Sequence, residues 1–183
     1  MKKVLKFIIS LLCCYLVAVA VNYFFFDHIV VSGSSMNPTL SNGEFGISDK
    51  LVFKLTGLNR FDVVVIEIDD DKLVKRIVGL PNEKITYKNG ILFVNDKVIN
   101  ENFINEINTY DNFEVTLAAN EYFVLGDNRT NSLDSRNFGP IKIEDIKSKL
   151  FMINGICENG IVCDESNSCD CNRIYHFPRI VSW

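Results

Sequence analysis

Histidine is almost missing from this chain of 183 residues: only His28 and His176 occur. The scarcity matters because imidazole is the usual protein base near neutral pH. His28 directly follows Asp27 at the end of an apolar run, and His176 lies among aromatic residues in the last eight. Neither is placed to serve as a base, so a Ser-His-Asp arrangement is disfavoured. An excess of positive charge is missing too. The formal net charge is −4, which argues against a nucleic-acid partner, since that would need a basic face. Internal repeats and low-complexity tracts are absent. Helical periodicity is weak beyond the N-terminal segment.

What is present first is a long apolar run. Phe7 to Phe26 is twenty residues without a charge, and as a helix these rise about 30 Å, the thickness of a bilayer core. Lys6 can snorkel to the headgroups, and Tyr23 lies where aromatic belts form. Ala18-Val19-Ala20 would suit cleavage of a secretory signal. However, the run continues through Val21 and Phe24-Phe25-Phe26, which favours an uncleaved anchor. Lys2, Lys3 and Lys6 predict a cytoplasmic N-terminus, with everything after Asp27 outside the cell membrane. Cys13 and Cys14, inside the run, read as small apolar fillers.

The remainder predicts a mainly β fold. Apolar, β-branched stretches recur at Ile29–Val31, Val63–Ile66, Leu73–Val78, Ile91–Val94 and Tyr122–Leu125, separated by turn residues. Asn89-Gly90 sits between two such stretches, the strongest short hairpin signal. Asn95-Asp96 suggests a second turn. Residues 143–150 fit a short helix or a turn and strand. The organisation expected is an anchor over 1–26, a β domain over 27–151 with a smaller hairpin-rich insert at 82–120, and a cysteine-containing tail over 152–183. Residues 155–172 resemble a loop appendage. Their cysteines, Cys157, Cys163, Cys169 and Cys171, follow a C-x5-C-x5-C-x-C spacing. On the outer side of a membrane this suggests two disulfides, with three pairings possible. Zinc competes, although the CxxC knuckles of ordinary zinc ligands are absent. Free thiols remain an alternative.

Three clusters could carry chemistry. The first is "SGSSMNPTL", Ser32 to Leu40, just past the anchor. A serine there is a poor nucleophile until a neighbour takes its proton. The second is Lys75 in "LVKRIV". Period-2 alternation sends Leu73, Lys75 and Ile77 to one face of a strand, beside aliphatic neighbours. Desolvation there lowers a lysine pKa, whereas an edge-strand lysine guarding against aggregation is the plainer reading. The third is "GDNRTNSLDSR", Gly126 to Arg136, a dense hydrogen-bonding loop whose Arg-carboxylate pairs could simply make it rigid.

Together with "RFDVVVIE" (Arg60–Glu67) and "KLVKRIVGLP" (Lys72–Pro81), these motifs occur in one order behind one membrane segment. The chain in this respect resembles the type I signal peptidases, most closely their Gram-positive branch, over residues 4–151 and again faintly at "IYHFPRI", Ile174–Ile180. The resemblance implies an extracytoplasmic domain of coiled antiparallel sheets behind a single transmembrane helix. It implies Ser35 as nucleophile and Lys75 as general base, acting through an acyl-enzyme. Ser132 matches the serine that orients the lysine, and Gly33 stands where some relatives carry an oxyanion-hole hydroxyl. Arg76, Asp127, Asp134 and Arg136 match supporting ion pairs. Asn128 and Arg129 match the motif without an assigned chemistry.

The activity implied is removal of signal peptides from exported preproteins, after small residues at the first and third positions before the cut. Met36 and Leu73 are candidate neighbours of the two shallow pockets this needs. No cofactor or metal is expected. The partners expected are preproteins and the lipid bilayer, and a monomer is favoured. Departures from the pattern are Leu73 where an aromatic is common, "LPNE" after the lysine strand, and the cysteine tail. The alternatives weighed are a self-cleaving Ser-Lys peptidase and a tethered, non-catalytic binding or scaffold domain. Full extension limits the distance from Phe26 to Ser35 to about 30 Å, so that hydroxyl stays near the outer membrane face.

Overall fold

The computed structural model describes the main chain of residues 2–104, 112–163 and 169–180, and side chains as far as residue 155. Helix α1, Lys2–Phe25, is long and apolar enough to cross a membrane and is exposed along its length. It runs without a linker into β1, Phe26–Val30, which pairs antiparallel with β2, Glu44–Asp49. A short helix α2, Val52–Thr56, leads to β3, Val63–Ile68, and to β4, Asp71–Gly79. Next come β5, Lys84–Lys88, β6, Ile91–Val94, β7, Lys97–Ile99, and β8, Phe113–Thr116. The chain closes with β9, Glu121–Leu125, α3, Ser135–Phe138, β10, Ile141–Lys142, β11, Ile146–Cys163, and β12, Cys169–Ile180.

Among the described residues two antiparallel sheets form, as the mainly β expectation requires. The larger has the order β1-β2-β11-β3-β4-β9-β10, with β12 alongside β11. The smaller, β7-β6-β5-β8, lies within residues 84–116. Its turns are those marked by sequence. Asn89 and Gly90 take φ of 52° and 79°, and Asn95 and Asp96 take 50° and 64°. Positive φ at both turn residues suits two-residue hairpin loops and is tolerated by Asn, Asp and Gly.

Three apolar clusters are found among the described residues. Tyr87, Leu92 and Val94 of the small sheet pack with Val78, Phe123 and Leu125 of β4 and β9. Val31, Met36, Leu40 and Val63 pack with Leu150 and Ile153 of β11. Phe53, Val64, Ile66 and Ile77 pack with Val124 and Ile146. β4 thus has an apolar layer on both faces, which explains why its residues read as one nearly continuous apolar run rather than as a clean alternation.

The tail departs from expectation. Residues 155–172, expected as a loop appendage, are strand through Cys163 and strand again from Cys169. Pairing of β11 with β12 supplies the backbone hydrogen bonds, from Met152↔Ile180 to Cys163↔Cys169. The polar composition of this stretch hides that partner. The expected disulfide or zinc chemistry of Cys157, Cys163, Cys169 and Cys171 concerns side chains outside the described residues.

β2 meets β11 closely at Gly46. A Cβ there would lie 2.2 Å from the Met152 carbonyl oxygen and 2.9 Å from Ile153 Cδ1. The first obstacle is main chain and cannot step aside. Gly46→Ala is expected to cost about 1–3 kcal/mol, as other overpacked sites do, read as a lowered denaturant midpoint.

Candidate active site

Three segments distant in sequence meet at one place. The loop after β1 carries Ser35, β4 carries Lys75, and the loop between β9 and α3 carries Gly126–Asp134. Lys75 Nζ lies 2.8 Å from Ser35 Oγ and 3.0 Å from the Val74 carbonyl oxygen. Lys75 is only 2 % exposed. Burial pushes its amine down from an ordinary 10.5 to about 8, although the nearby carboxylates of Asp134 and Asp127 partly oppose the shift. Desolvation wins because each of those carboxylates already has an arginine of its own.

Asp127 is paired with Arg76, the residue after Lys75. Arg76 Nε donates to Asp127 Oδ1 over 2.8 Å and Nη2 to Oδ2 over 2.6 Å, with both side chains withdrawn from water. The remaining guanidinium donors reach the Phe61 carbonyl and Thr39 Oγ1. The Phe103 ring lies 4.1 Å from the guanidinium carbon. Asp134 accepts from Arg136 Nε and Nη2, each over 2.8 Å, and from the Gly126 N–H over 3.0 Å. Burial alone would raise its pKa. The Arg136 and Gly126 hydrogen bonds, helped by the Ser132 hydroxyl nearby, hold it below the usual carboxylate range.

The Ser35 loop is pinned to the Gly126 loop by residues to which the sequence assigned no chemistry. The Asn128 N–H donates to the Ser35 carbonyl over 3.0 Å, and Asn128 Nδ2 to the Ser34 carbonyl over 3.2 Å. Asn131 Nδ2 donates to Ser34 Oγ over 3.1 Å. Gly126 permits the approach. A Cβ on it would lie 2.2 Å from Ser132 Oγ and 2.5 Å from the Ser35 carbonyl oxygen. Behind this, Arg129 is bound by Glu101 and the Tyr87 hydroxyl, and donates to the Gly126 carbonyl. Glu101 had no signal in the sequence, because nothing near it marks a buried acid.

Other expected site residues are placed as follows. Ser132 Oγ is buried beside Gly126 without a hydrogen bond of normal geometry, and Lys75 Nζ contacts the Val74 carbonyl. Gly33 has φ 92° and spends its N–H on Asn42 Oδ1. The Ser35 N–H, in contrast, meets no acceptor among the described residues. Met36 is buried in the cluster that Val74 packs against, whereas Leu73 belongs to the cluster on the other face of β4. Alternation along the strand separates the two. Beside Val74 opens a cavity of about 400 Å³ between β1 and β4, lined by Ile29, Val65, Val74, Lys72 and Ser148 among others.

A serine hydroxyl in contact with a buried amine of lowered pKa is a pair chemically able to supply a nucleophile and a base without histidine; it lies on a β scaffold behind one helix long enough to cross a membrane. Comparison with known proteins identifies the family. The family described as "Signal peptidase, peptidase S26" matches residues 3–154. Signal peptidase I of Bacillus caldolyticus is 37% identical over 149 residues, covering 73% of this chain and 82% of the relative. Signal peptidase I V of Bacillus subtilis is 35% identical over 161 residues, covering 80% and 95%. A crystal structure of a signal peptidase I from Enterococcus faecalis aligns with 28% identity and a TM-score of 0.46, over 51% of this chain and 96% of that one. The chain belongs to the signal peptidase family, peptidase S26, whose members are serine endopeptidases.

Two outcomes follow from the buried charges. Asp127→Ala leaves the Arg76 guanidinium without its counter-charge and is expected to cost about 3–5 kcal/mol in stability, measured by denaturant titration. Lys75 behaves differently. Its folded pKa of about 8 lies below the ordinary 10.5, so between these values the unfolded chain binds the extra proton. Stability therefore rises with pH across that window, by about 3 kcal/mol in all. Lys75→Met is expected to be more stable than the parent at pH 7, with the pH-dependent rise removed.

Proposed function

We propose that the protein removes signal peptides from exported preproteins, with Ser35 as nucleophile and Lys75 as general base. The observation carrying this reading is the 2.8 Å contact between Lys75 Nζ and Ser35 Oγ, made where the amine's pKa is lowered to about 8. In its neutral form the amine donates one N–H to the Val74 carbonyl. That turns its lone pair toward the Ser35 O–H, which donates to it. As Ser35 Oγ attacks the scissile carbonyl carbon, the hydroxyl proton passes to Lys75. The resulting ammonium protonates the departing amine as the C–N bond breaks. Water then gives a proton to Lys75 and attacks the acyl-serine ester, and the proton returns to Ser35 as the acid leaves. The free Ser35 N–H is placed on the nucleophile's own residue, where an oxyanion donor is needed.

The cavity beside Val74 supports a subsite for the apolar, small side chains before the cut. Ile29 and Val74 would line it, with Met36 in the apolar cluster that both pack against. Anchoring by α1, with Lys2, Lys3 and Lys6 inside and the β domain outside, puts the site where translocated chains emerge. The division into an anchor at 1–26, a catalytic region at 27–151 and a tail at 152–183 belongs to this reading.

The test is cleavage of a model preprotein by the full chain in detergent or vesicles, with the cut mapped. Ser35→Ala and Lys75→Ala should each abolish cleavage, by about 10³-fold or more, while leaving the circular dichroism unchanged. Retained activity in either variant would sink the assignment. For the parent, kcat/KM should climb as pH rises through about 8, as Lys75 loses its proton; a profile flat across that range contradicts a lysine base.

A further inference from the structure

The chain leaving β7 turns at Glu101–Ile104, where the Ile104 N–H donates to the Glu101 carbonyl over 3.4 Å. Two side chains of this turn reach arginines of the site. The centre of the Phe103 ring lies 4.1 Å from the guanidinium carbon of Arg76, and the ring packs edge to face with Phe61 at a centroid distance of 4.9 Å. Glu101 takes Arg129. One turn of the insert therefore holds both the arginine next to Lys75 and an arginine of the loop next to Ser35.

The Arg129 guanidinium forms a link between the two. Nη1 donates to Glu101 Oε2 over 3.0 Å and to the Tyr87 hydroxyl over 3.1 Å, and Nη2 donates to Glu101 Oε1. At the other end, Nε donates to the Gly126 carbonyl over 3.0 Å. The Arg129 and Glu101 side chains are only 1 % and 4 % exposed. Gly126 is where the loop meets the nucleophile's segment: a Cβ on it would lie 2.5 Å from the Ser35 carbonyl oxygen. The Asn128 N–H, two residues on, donates to that same oxygen. The Arg129 carbonyl in turn accepts from Arg136 Nη1 over 2.7 Å, and Arg136 holds Asp134.

A buried ion pair adds little stability over apolar side chains of the same volume. What it adds is direction, because a planar guanidinium gripped on two donors by a carboxylate cannot rotate. We propose that Glu101 is a positioning residue for the reaction: through Arg129 it fixes the Gly126 carbonyl, and with it the placement of the Ser35 main chain against Lys75. The proposal rests on the reading of Ser35 and Lys75 as nucleophile and base. The carboxylate of Glu101 bonds Arg129 and neither reacting group. Its loss should therefore slow the chemical step and leave substrate affinity alone.

The test compares the full parent chain in detergent with Ser35→Ala, Glu101→Gln and the double variant Glu101→Leu/Arg129→Met. The denaturant midpoint is read for each, and kcat and KM separately on a model preprotein. Glu101→Gln is expected to lower both the midpoint and kcat, since it leaves Arg129 buried without its counter-charge. The double variant removes both charges, so its midpoint should return to that of the parent. Its kcat should stay about tenfold low, with KM within about twofold of the parent. Parental kcat in the folded double variant makes the pair structural only and overturns the inference. A raised KM at unchanged kcat overturns it too, as does a double variant that does not fold. Cleavage retained by Ser35→Ala would instead remove the Ser35–Lys75 reading. An inactive Ser35→Ala beside a double variant of parental kcat removes the inference alone.

Discussion

The contact between the Arg76 guanidinium and the Asp127 carboxylate is the joint on which the site depends. Both ions are wholly out of water, which is tolerable only if every donor and acceptor finds a partner. Arg76 does so by reaching Asp127, Thr39 and the Phe61 carbonyl at once. Those partners come from the loop after β9, the Ser35 loop and the approach to β3. A strand residue that must satisfy three separate segments cannot shift along its register. The neighbouring Lys75 inherits that fixity. The same pairing explains how a neutral amine can exist beside two carboxylates, since Asp127 is held by Arg76 and Asp134 by Arg136. Their negative charge reaches Lys75 already largely cancelled, and burial decides the outcome.

The smaller sheet takes part in this construction. Its Tyr87 and the following Glu101 hold Arg129, which in turn holds the Gly126 carbonyl. Phe103 covers the face of Arg76. The insert is therefore structurally continuous with the loop that flanks Ser35 and Lys75, through buried charge as well as through the apolar layer it shares with β4 and β9. The strained backbone of Phe61, with φ 73°, lies on the same side and presents its carbonyl to Arg76. A bulky residue adopts such a conformation only where its surroundings over-determine it.

Much of this was legible in the sequence where a single local rule dominates. β-branched runs marked β3, β4, β6 and β9, and Asn-Gly marked the β5–β6 hairpin. Alternation set Lys75 among aliphatic neighbours, but on that pattern alone an edge-strand lysine was the plainer reading, and only the ordered motifs together singled it out. β2 and α2 escaped because Glu44–Asp49 mixes Gly, Ser and acids, and a five-residue helix leaves no periodicity. The tail strands escaped because their pairing is long-range. Glu101, Asn128 and Asn131 escaped for a related reason: a polar side chain in a polar stretch looks solvated until the partner that buries or binds it is known. The expected Ser132 contact was an inheritance from related motifs rather than from local pattern. The contact seen beside Lys75 is with the Val74 carbonyl.

The bonds from Asn128 and Asn131 to Ser34 bridge 94 and 97 residues. Contacts of such span form late, because the intervening chain must first be ordered. Until the loop that holds Asn128 and Asn131 is ordered, the Ser34–Ser35 segment lacks the bonds that fix it. The geometry around Ser35 and Lys75 is therefore among the last parts of the fold to become exact.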